Sequence, residues 1–179
     1  MKITRDQLKG WGACRKGYEW FLRRFPDGEA EYQDVLNALA EDDLPSDADW
    51  LMNNAGPDRE AVLEVEVIAN CKHLFAAGRL VIKNGAAVTG RLRAGWGIEA
   101  GEGIKAGWGI EAGEGINAGE GIKAGLGIKA GWGYGIFAGL CLRLSDWTLY
   151  AKVIAKDKPE NLVSGSWVEP SAESCKEHR

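Results

Sequence analysis

Leu92 to Gly133 reads Leu-Arg-Ala-Gly-Trp-Gly once and then Ile-x-Ala-Gly-x-Gly six times, with the isoleucines at Ile98, Ile104, Ile110, Ile116, Ile122 and Ile128. A six-residue period is neither the turn of a helix nor simple strand alternation, so each unit must be a short strand followed by a bend. On a strand the Ile and the Ala two places later point the same way, while the residue between them (Glu99, Lys105, Glu111, Asn117, Lys123 or Lys129) points the opposite way. The apolar pair faces a core and the polar residue faces water, which is the pattern of a β-solenoid. The two glycines bracket one variable residue and are expected to supply the positive φ of a sharp corner.

The register continues upstream in weaker form through Leu74/Ala76, Leu80/Ile82, Ala86/Val88 and Leu92/Ala94, which makes about ten hexads between Leu74 and Gly133. Many units are needed, because burying one Ile is worth roughly 1.5–3 kcal/mol and each Gly held in a regular element loses roughly 0.5–1 kcal/mol relative to Ala. Stability arises only when coils stack and bond to one another. Two coil lengths compete: three hexads make an eighteen-residue triangular coil, and two make a flat twelve-residue coil. Spacing twelve gathers Trp96, Trp108, Glu120 and Trp132 on one corner and Glu102, Glu114 and Leu126 on the other, which segregates tryptophan from glutamate better than spacing eighteen. Alanine at every second inward place also suits a thin core. Against this, spacing twelve sets Glu99 over Glu111, whereas eighteen pairs Glu111 with Lys129. The flat coil is the expectation.

Residues 1–60 read as a small helical domain, which makes the whole chain α+β. Thr4 followed by Gln7 has the form of a capping box. Cys14, Tyr18, Phe21, Leu22 and Phe25 share one helical face, and Phe25-Pro26-Asp27-Gly28 is a turn. Tyr32, Val35, Leu36 and Leu39 mark a second helix; a third starts near Ser46 or Asp47, carries Trp50 and Leu51, and ends at Gly56-Pro57. Residues 61–168 are expected to form the solenoid and its closing cap. Leu63 to Val67 alternates like a half-buried strand, Tyr134-Gly135 is an insertion before the pattern resumes at Ile136/Ala138, Cys141 to Ala155 alternates irregularly, and Leu162 to Val168 makes a last strand. The polar tail, 169–179, is expected to be loose.

The 179 residues carry a net charge of −4, so nothing global favours direct binding to nucleic acid. No apolar run is long enough for a membrane span or a secretory signal, and a soluble cytoplasmic protein is expected. Cys14, Cys71, Cys141 and Cys175 are scattered without a CxxC pair, as befits thiols in a reducing compartment. Charge is polarised within the helical domain: in residues 1–26 cations outnumber acids seven to two, while residues 27–60 hold eleven acids against Arg59 alone. The acids, with Glu41, Asp42, Asp43, Asp47 and Asp49 at their centre, fit either an ordinary solvated face or a docking surface for a basic partner.

Chemistry is sparse. Gly95-x-Gly97-x-x-Ala100 fits a dinucleotide fingerprint formally, but the same pattern recurs every six residues with no flanking βαβ unit. No metal or cofactor is expected. The two histidines are His73, at the edge of the solenoid, and His178, in the tail. Acyltransferases built on hexapeptide-repeat β-helices use a histidine as general base, so a transferase reading needs His73 in a cleft with a carboxylate nearby.

Trp96, Trp108 and Trp132 occupy variable corner places, where they form either a binding ladder or a packing surface for the helical domain or a second copy of the chain. An ice-binding face would need rows of threonine, and Thr89 is the repeat region's only one. The hexad array, together with Trp11-Gly12-Ala13-Cys14, Gly17-Tyr18-Glu19-Trp20-Phe21 and Phe25-Pro26-Asp27-Gly28, resembles small proteins of bacteriophages and prophages that join a helical domain to a Gly-rich solenoid. The resemblance implies a host bacterial cytoplasm, a non-enzymatic role and a bacterial protein as partner, with inhibition of a host defence protein as the expected function. A self-associating structural rod, and hence a homo-oligomer, is the alternative from a different class, and the transferase is a third.

Overall fold

Ile104 lies beside Ile122, Lys105 beside Lys123 and Ala106 beside Ala124, in parallel, in the computed structural model of the chain, which describes residues 1–170. Cys175, His178 and the tail beyond residue 170 lie outside the described residues. Partners are eighteen residues apart here and in the pairs Ile110–Ile128, Ile98–Ile116 and Leu74–Leu92. The coil is therefore three hexads around a triangle, which corrects the flat twelve-residue reading. Tyr134-Gly135 is accommodated as expected, since Ile136 pairs with Ile116 across the insertion.

The chain begins with β1 (Lys2–Thr4), α1 (Arg5–Gly10), α2 (Arg15–Arg24), β2 (Glu29–Glu31), α3 (Tyr32–Glu41) and α4 (Pro45–Ala55). The solenoid follows as β3 (Val62–Val65), β4 (Ile68–Cys71), β5 (Leu74–Ala76), β6 (Arg79–Ile82), β7 (Ala86–Val88), β8 (Leu92–Ala94), β9 (Ile98–Ala100), β10 (Ile104–Ala106), β11 (Ile110–Ala112), β12 (Ile116–Ala118), β13 (Ile122–Ala124), β14 (Ile128–Lys129) and β15 (Ile136–Phe137). It closes with α5 (Leu144–Tyr150), β16 (Lys152–Ile154), β17 (Leu162–Ser164) and β18 (Ser166–Val168). Strands β3, β6, β9, β12, β15 and β17 stack on one face, β4, β7, β10, β13, β16 and β18 on the second, and β5, β8, β11 and β14 on the third.

Inside, the isoleucines and alanines of all three faces meet in one core, with every repeat isoleucine at most 4% exposed. Outside, spacing eighteen places Arg93, Glu111 and Lys129 in one column of alternating charge, a cross-strand arrangement that favours this register. The corners form three columns through backbone bonds: Trp96 and Glu114, Gly90 with Trp108 and Leu126, and Asn84 with Glu102 and Glu120.

The glycines serve a purpose other than the expected one. Of the repeat glycines from Gly95 onward, only Gly133 has a positive φ. What the glycine after each Ala requires is room. A methyl group on Gly101, Gly107, Gly113, Gly119, Gly125 or Gly131 would fall well inside 3.0 Å of a carbonyl oxygen eighteen residues earlier, on the adjoining coil. The second glycine is less constrained in most hexads, Gly121 against Tyr150 O and Gly133 with its positive φ excepted, and around Gly127 there is open space.

The helical unit has the expected capping box at Thr4 and Gln7, but it also contains an antiparallel β1–β2 pair that the apolar spacing did not reveal. Its core of Ile3, Phe21, Tyr32, Leu36 and Leu51 extends to Phe75 and Ala77 of the solenoid. Phe75 is the outward residue of β5, and burial beneath α3 is why it is apolar where later coils carry charge. The primary amide of Gln33 donates to Phe75 O at 2.7 Å and accepts from Ala77 N at 2.9 Å. It thereby occupies the place of a further strand on the edge of β5, an edge that would otherwise be open to pairing.

At the opposite end the irregular stretch holds a helix, α5, rather than the alternating chain expected for Cys141 to Ala155. Residues 162–168 are two strands on different faces, with Gly165 at φ 115° between them. Trp167 pairs in register with inward Val153 and donates its indole N–H to Ala155 O at 3.1 Å, so the ring lies across the end of the core.

We expect Gly113→Ala to destabilise the fold by more than about 3 kcal/mol, because the methyl meets backbone that cannot yield without breaking the coil spacing. Gly127→Ala should stay within about 1 kcal/mol of the parent. Chemical denaturation of the two variants distinguishes a steric role from a conformational one, since a need for corner flexibility would penalise both alike.

Candidate functional site

The acidic segment is largely spent within the chain. Glu41 pairs with Arg24. Asp42 accepts the indole N–H of Trp20 at 2.7 Å. Asp49 sits on α4 between Arg91 and Arg93, the latter at 2.8 Å, and Arg93 also donates to Asn53 at 2.6 Å. These contacts fasten α4 to the third face of the solenoid. The acids and the cations they meet lie far apart in sequence, which is why charge polarity alone could not pair them. Asp47 stands apart: it has no hydrogen bond or ion pair among the described residues.

Asp43 terminates α3 in the left-handed conformation, at φ 57°, with Leu44 N bonding back to Leu39 O at 2.9 Å. This is the bonding of a Schellman cap, and Asp is one of the few non-glycine residues that tolerates it. Its carboxylate meets Lys72 at 2.5 Å and His73 Nε2 at 3.0 Å. His73 Nδ1 in turn accepts the backbone N–H of Arg91 at 3.0 Å, so the proton must be on Nε2, donated to Asp43. The ring is 3% exposed, stacked on Phe75 and edge-on to Trp108. His73 thus has the partner that the sequence did not disclose, but it is not in an open cleft and neither nitrogen is free to accept a proton from a substrate. Gly90 leaves space for the imidazole, since a side chain there would strike it.

The three tryptophans do not form one ladder. Trp96 and Trp108 lie on different corners, and their surroundings diverge. Trp96 is half-buried beneath the Arg59 guanidinium, 5.4 Å from the ring centroid, with its indole N–H buried and without a partner among the described residues. Trp108 packs on His73 and is 42% exposed, while Trp132 is 98% exposed. Apart from Met1, Val62, Val67 and Trp108, every exposed large apolar side chain among the described residues lies between Leu126 and Val168. Helix α5 buries none of its residues and exposes Leu144, Leu149 and Tyr150.

One feature escaped the sequence reading altogether. A cleft of about 210 Å³ opens in the helical unit between α2 and α4, walled by Trp20, Phe21, Trp50 and Leu39, with Gly17 and Asp47 on its margin. It shares Gly17, Trp20 and Asp47 with a wider groove lined by Lys16, Arg23 and Asp42. The signal available was Gly17, a glycine inside an otherwise amphipathic helix. Among the described residues no cluster of three or more His, Cys, Asp or Glu could hold a metal, and no helix is long and apolar enough to cross a membrane. Cys14, Cys71 and Cys141 are free thiols.

These elements define a three-sided parallel β-solenoid closed at its N-terminal end by a helical unit. Residues 1–55, nearly the whole of that unit, match the family model described as the YdhT N-terminal domain. No curated protein and no solved structure matches the chain.

Lys72, and after it His73, holds the Asp43 carboxyl below its ordinary value. A carboxylate whose pKa is lower folded than unfolded stabilises the fold fully above the unfolded value, about 3.9, and the benefit is lost as pH falls through the folded value. We therefore expect the melting temperature of the parent to fall faster than that of Asp43→Asn as pH is lowered from about 5 to about 2.5. Parallel pH profiles would show that the contact contributes nothing in solution.

Proposed function

We propose that the protein performs no chemistry of its own and acts by covering a surface of a bacterial host protein, as an inhibitor of a host defence protein in the bacterial cytoplasm. The observation that carries this reading is the exposed apolar surface of the last coils and cap, where Trp132, Leu144, Leu149 and Tyr150 meet solvent. A concentration of exposed apolar side chains at one end of a fold is a feature of protein-binding sites. The engagement of both His73 nitrogens supports a role without general-base catalysis. The inhibitory role itself rests on the resemblance to phage and prophage proteins. The acids from Glu41 to Asp49 contribute less to partner binding than their number suggests, because four of the five already hold the solenoid or a neighbouring helix.

A second reading has its own support. The outer edges of β17 and β18 carry no further strand among the described residues, and open edges favour self-association. The two readings separate in one experiment. Tagged protein is used to capture partners from bacterial lysate, beside Trp132→Ser and Leu144→Ser variants, with light scattering on each. We expect one stoichiometric host protein with the parent and at least a tenfold weaker capture with the double variant, from loss of about 1.4 kcal/mol or more. Undiminished capture would remove the apolar end as the contact, and an oligomer without a captured partner would favour the structural rod.

A further inference from the structure

The cleft in the helical unit has the make-up of a ligand site that neither the fold nor the proposed apolar contact requires. Its walls include three aromatic rings, Trp20, Phe21 and Trp50, and its volume of about 210 Å³ exceeds the roughly 150 Å³ cavity that admits a benzene ring. Asp47 is the one carboxylate on this lining. Its neighbours in the acidic segment, Glu41, Asp42, Asp43 and Asp49, each have a partner, whereas Asp47 has none among the described residues. The first turn of α4 gives its charge a favourable field, and Lys16 and Arg23, which line the adjoining groove, form no ion pair with it. Asp47 is partly exposed on the margin of the cleft, where a cation seated against the rings could pair with it.

Gly17 is the second, independent indication. It lies within α2, and a methyl group there would make only ordinary contacts, 3.5 Å from Cys14 Sγ and 3.6 Å from Asp47 Oδ1. Packing therefore does not demand glycine at this place in the first turn of α2. What the absent side chain preserves is the width of the cleft beside Asp47.

We propose that this cleft binds a small organic cation: an ammonium group paired with Asp47, on an apolar body of about one aromatic ring held against Trp20 and Trp50. Carboxylate and ring faces act together, the first by charge and the second by cation–π attraction. The site is independent of the apolar surface around Trp132, so its fate and that of the partner-binding proposal are separate.

The probe pair is 2-phenylethylammonium and 3-phenylpropionate, which share a ring and differ in charge. Each is titrated into the isotopically labelled full chain and followed by amide and indole NMR signals. The cation is expected to shift Gly12, Gly17 and the Trp50 indole at millimolar concentration and to bind about fivefold more tightly than the anion, the size of a half-exposed ion pair. Asp47→Asn should abolish that preference while leaving the spectrum otherwise intact. Gly17→Leu should fill the cleft and remove binding of both probes, with melting temperature serving as the check on folding. Equal affinity for the two probes, shifts confined to other residues, no shift at about 10 mM, or a preference that survives Asp47→Asn would each overturn the proposal.

Discussion

Everything in the solenoid depends on how closely one coil lies on the next. Backbone N–H groups at the corners, such as those of Trp108 and Leu126, bond to carbonyls on the adjoining coil just as those along the faces do. The corner residues therefore stay within hydrogen-bonding distance of the adjoining coil, which satisfies many of the backbone groups that the turn would otherwise strand. That proximity has a steric consequence immediately after each inward Ala, where a carbonyl of the adjoining coil occupies the space of a Cβ. Glycine at this place follows from contact between coils, and the alanine before it keeps the layer thin enough for three isoleucines to meet at the centre of the triangle.

A stack of this kind has two ends, and they are handled differently. At the first, α3 and α4 cover the third face. Gln33 acts as a substitute peptide on β5, Phe75 is buried, and Asp49 and Asp43 meet Arg91, Arg93, Lys72 and His73. The Lys72–Asp43 pair is half-exposed and modest in energy, Asp49 with Arg91 and Arg93 is largely shielded from solvent, and both are coupled to a buried aromatic and a bidentate amide. At the second end Trp167 lies across the core, but apolar side chains remain exposed and, among the described residues, the last two strands carry no further strand. The first end is covered by the chain's own helical unit, and the second keeps exposed apolar side chains.

Much of this was legible in the residues. The hexad led directly to a solenoid, the Ile-x-Ala alternation identified the core and its outward column, and the two-residue insertion at Tyr134-Gly135 fell where expected. Coil length was misjudged because tryptophan segregation was given more weight than the charge column of Arg93, Glu111 and Lys129, and cross-strand pairing proved the stronger constraint. The same eighteen-residue coil sets Trp108 on a different corner from Trp96. The β1–β2 pair and α5 were missed because three-residue strands and seven-residue helices are too short for periodicity to show. The partners of His73 and Asp49 lie dozens of residues away, beyond any local pattern. The cleft left a trace only in what is missing at Gly17.

The eighteen-residue coil makes the solenoid a ruler graduated in steps. Adding or removing three hexads would move the apolar end relative to the helical unit by one strand spacing, about 4.8 Å, without turning it. A single hexad gained or lost would advance it by a fraction of that distance and also swing it a third of the way around the axis. Reach and bearing between the two ends are thus set separately by the number of repeats, so a family of such chains could adjust the geometry of a two-point contact by copy number alone, with both contacting surfaces unchanged.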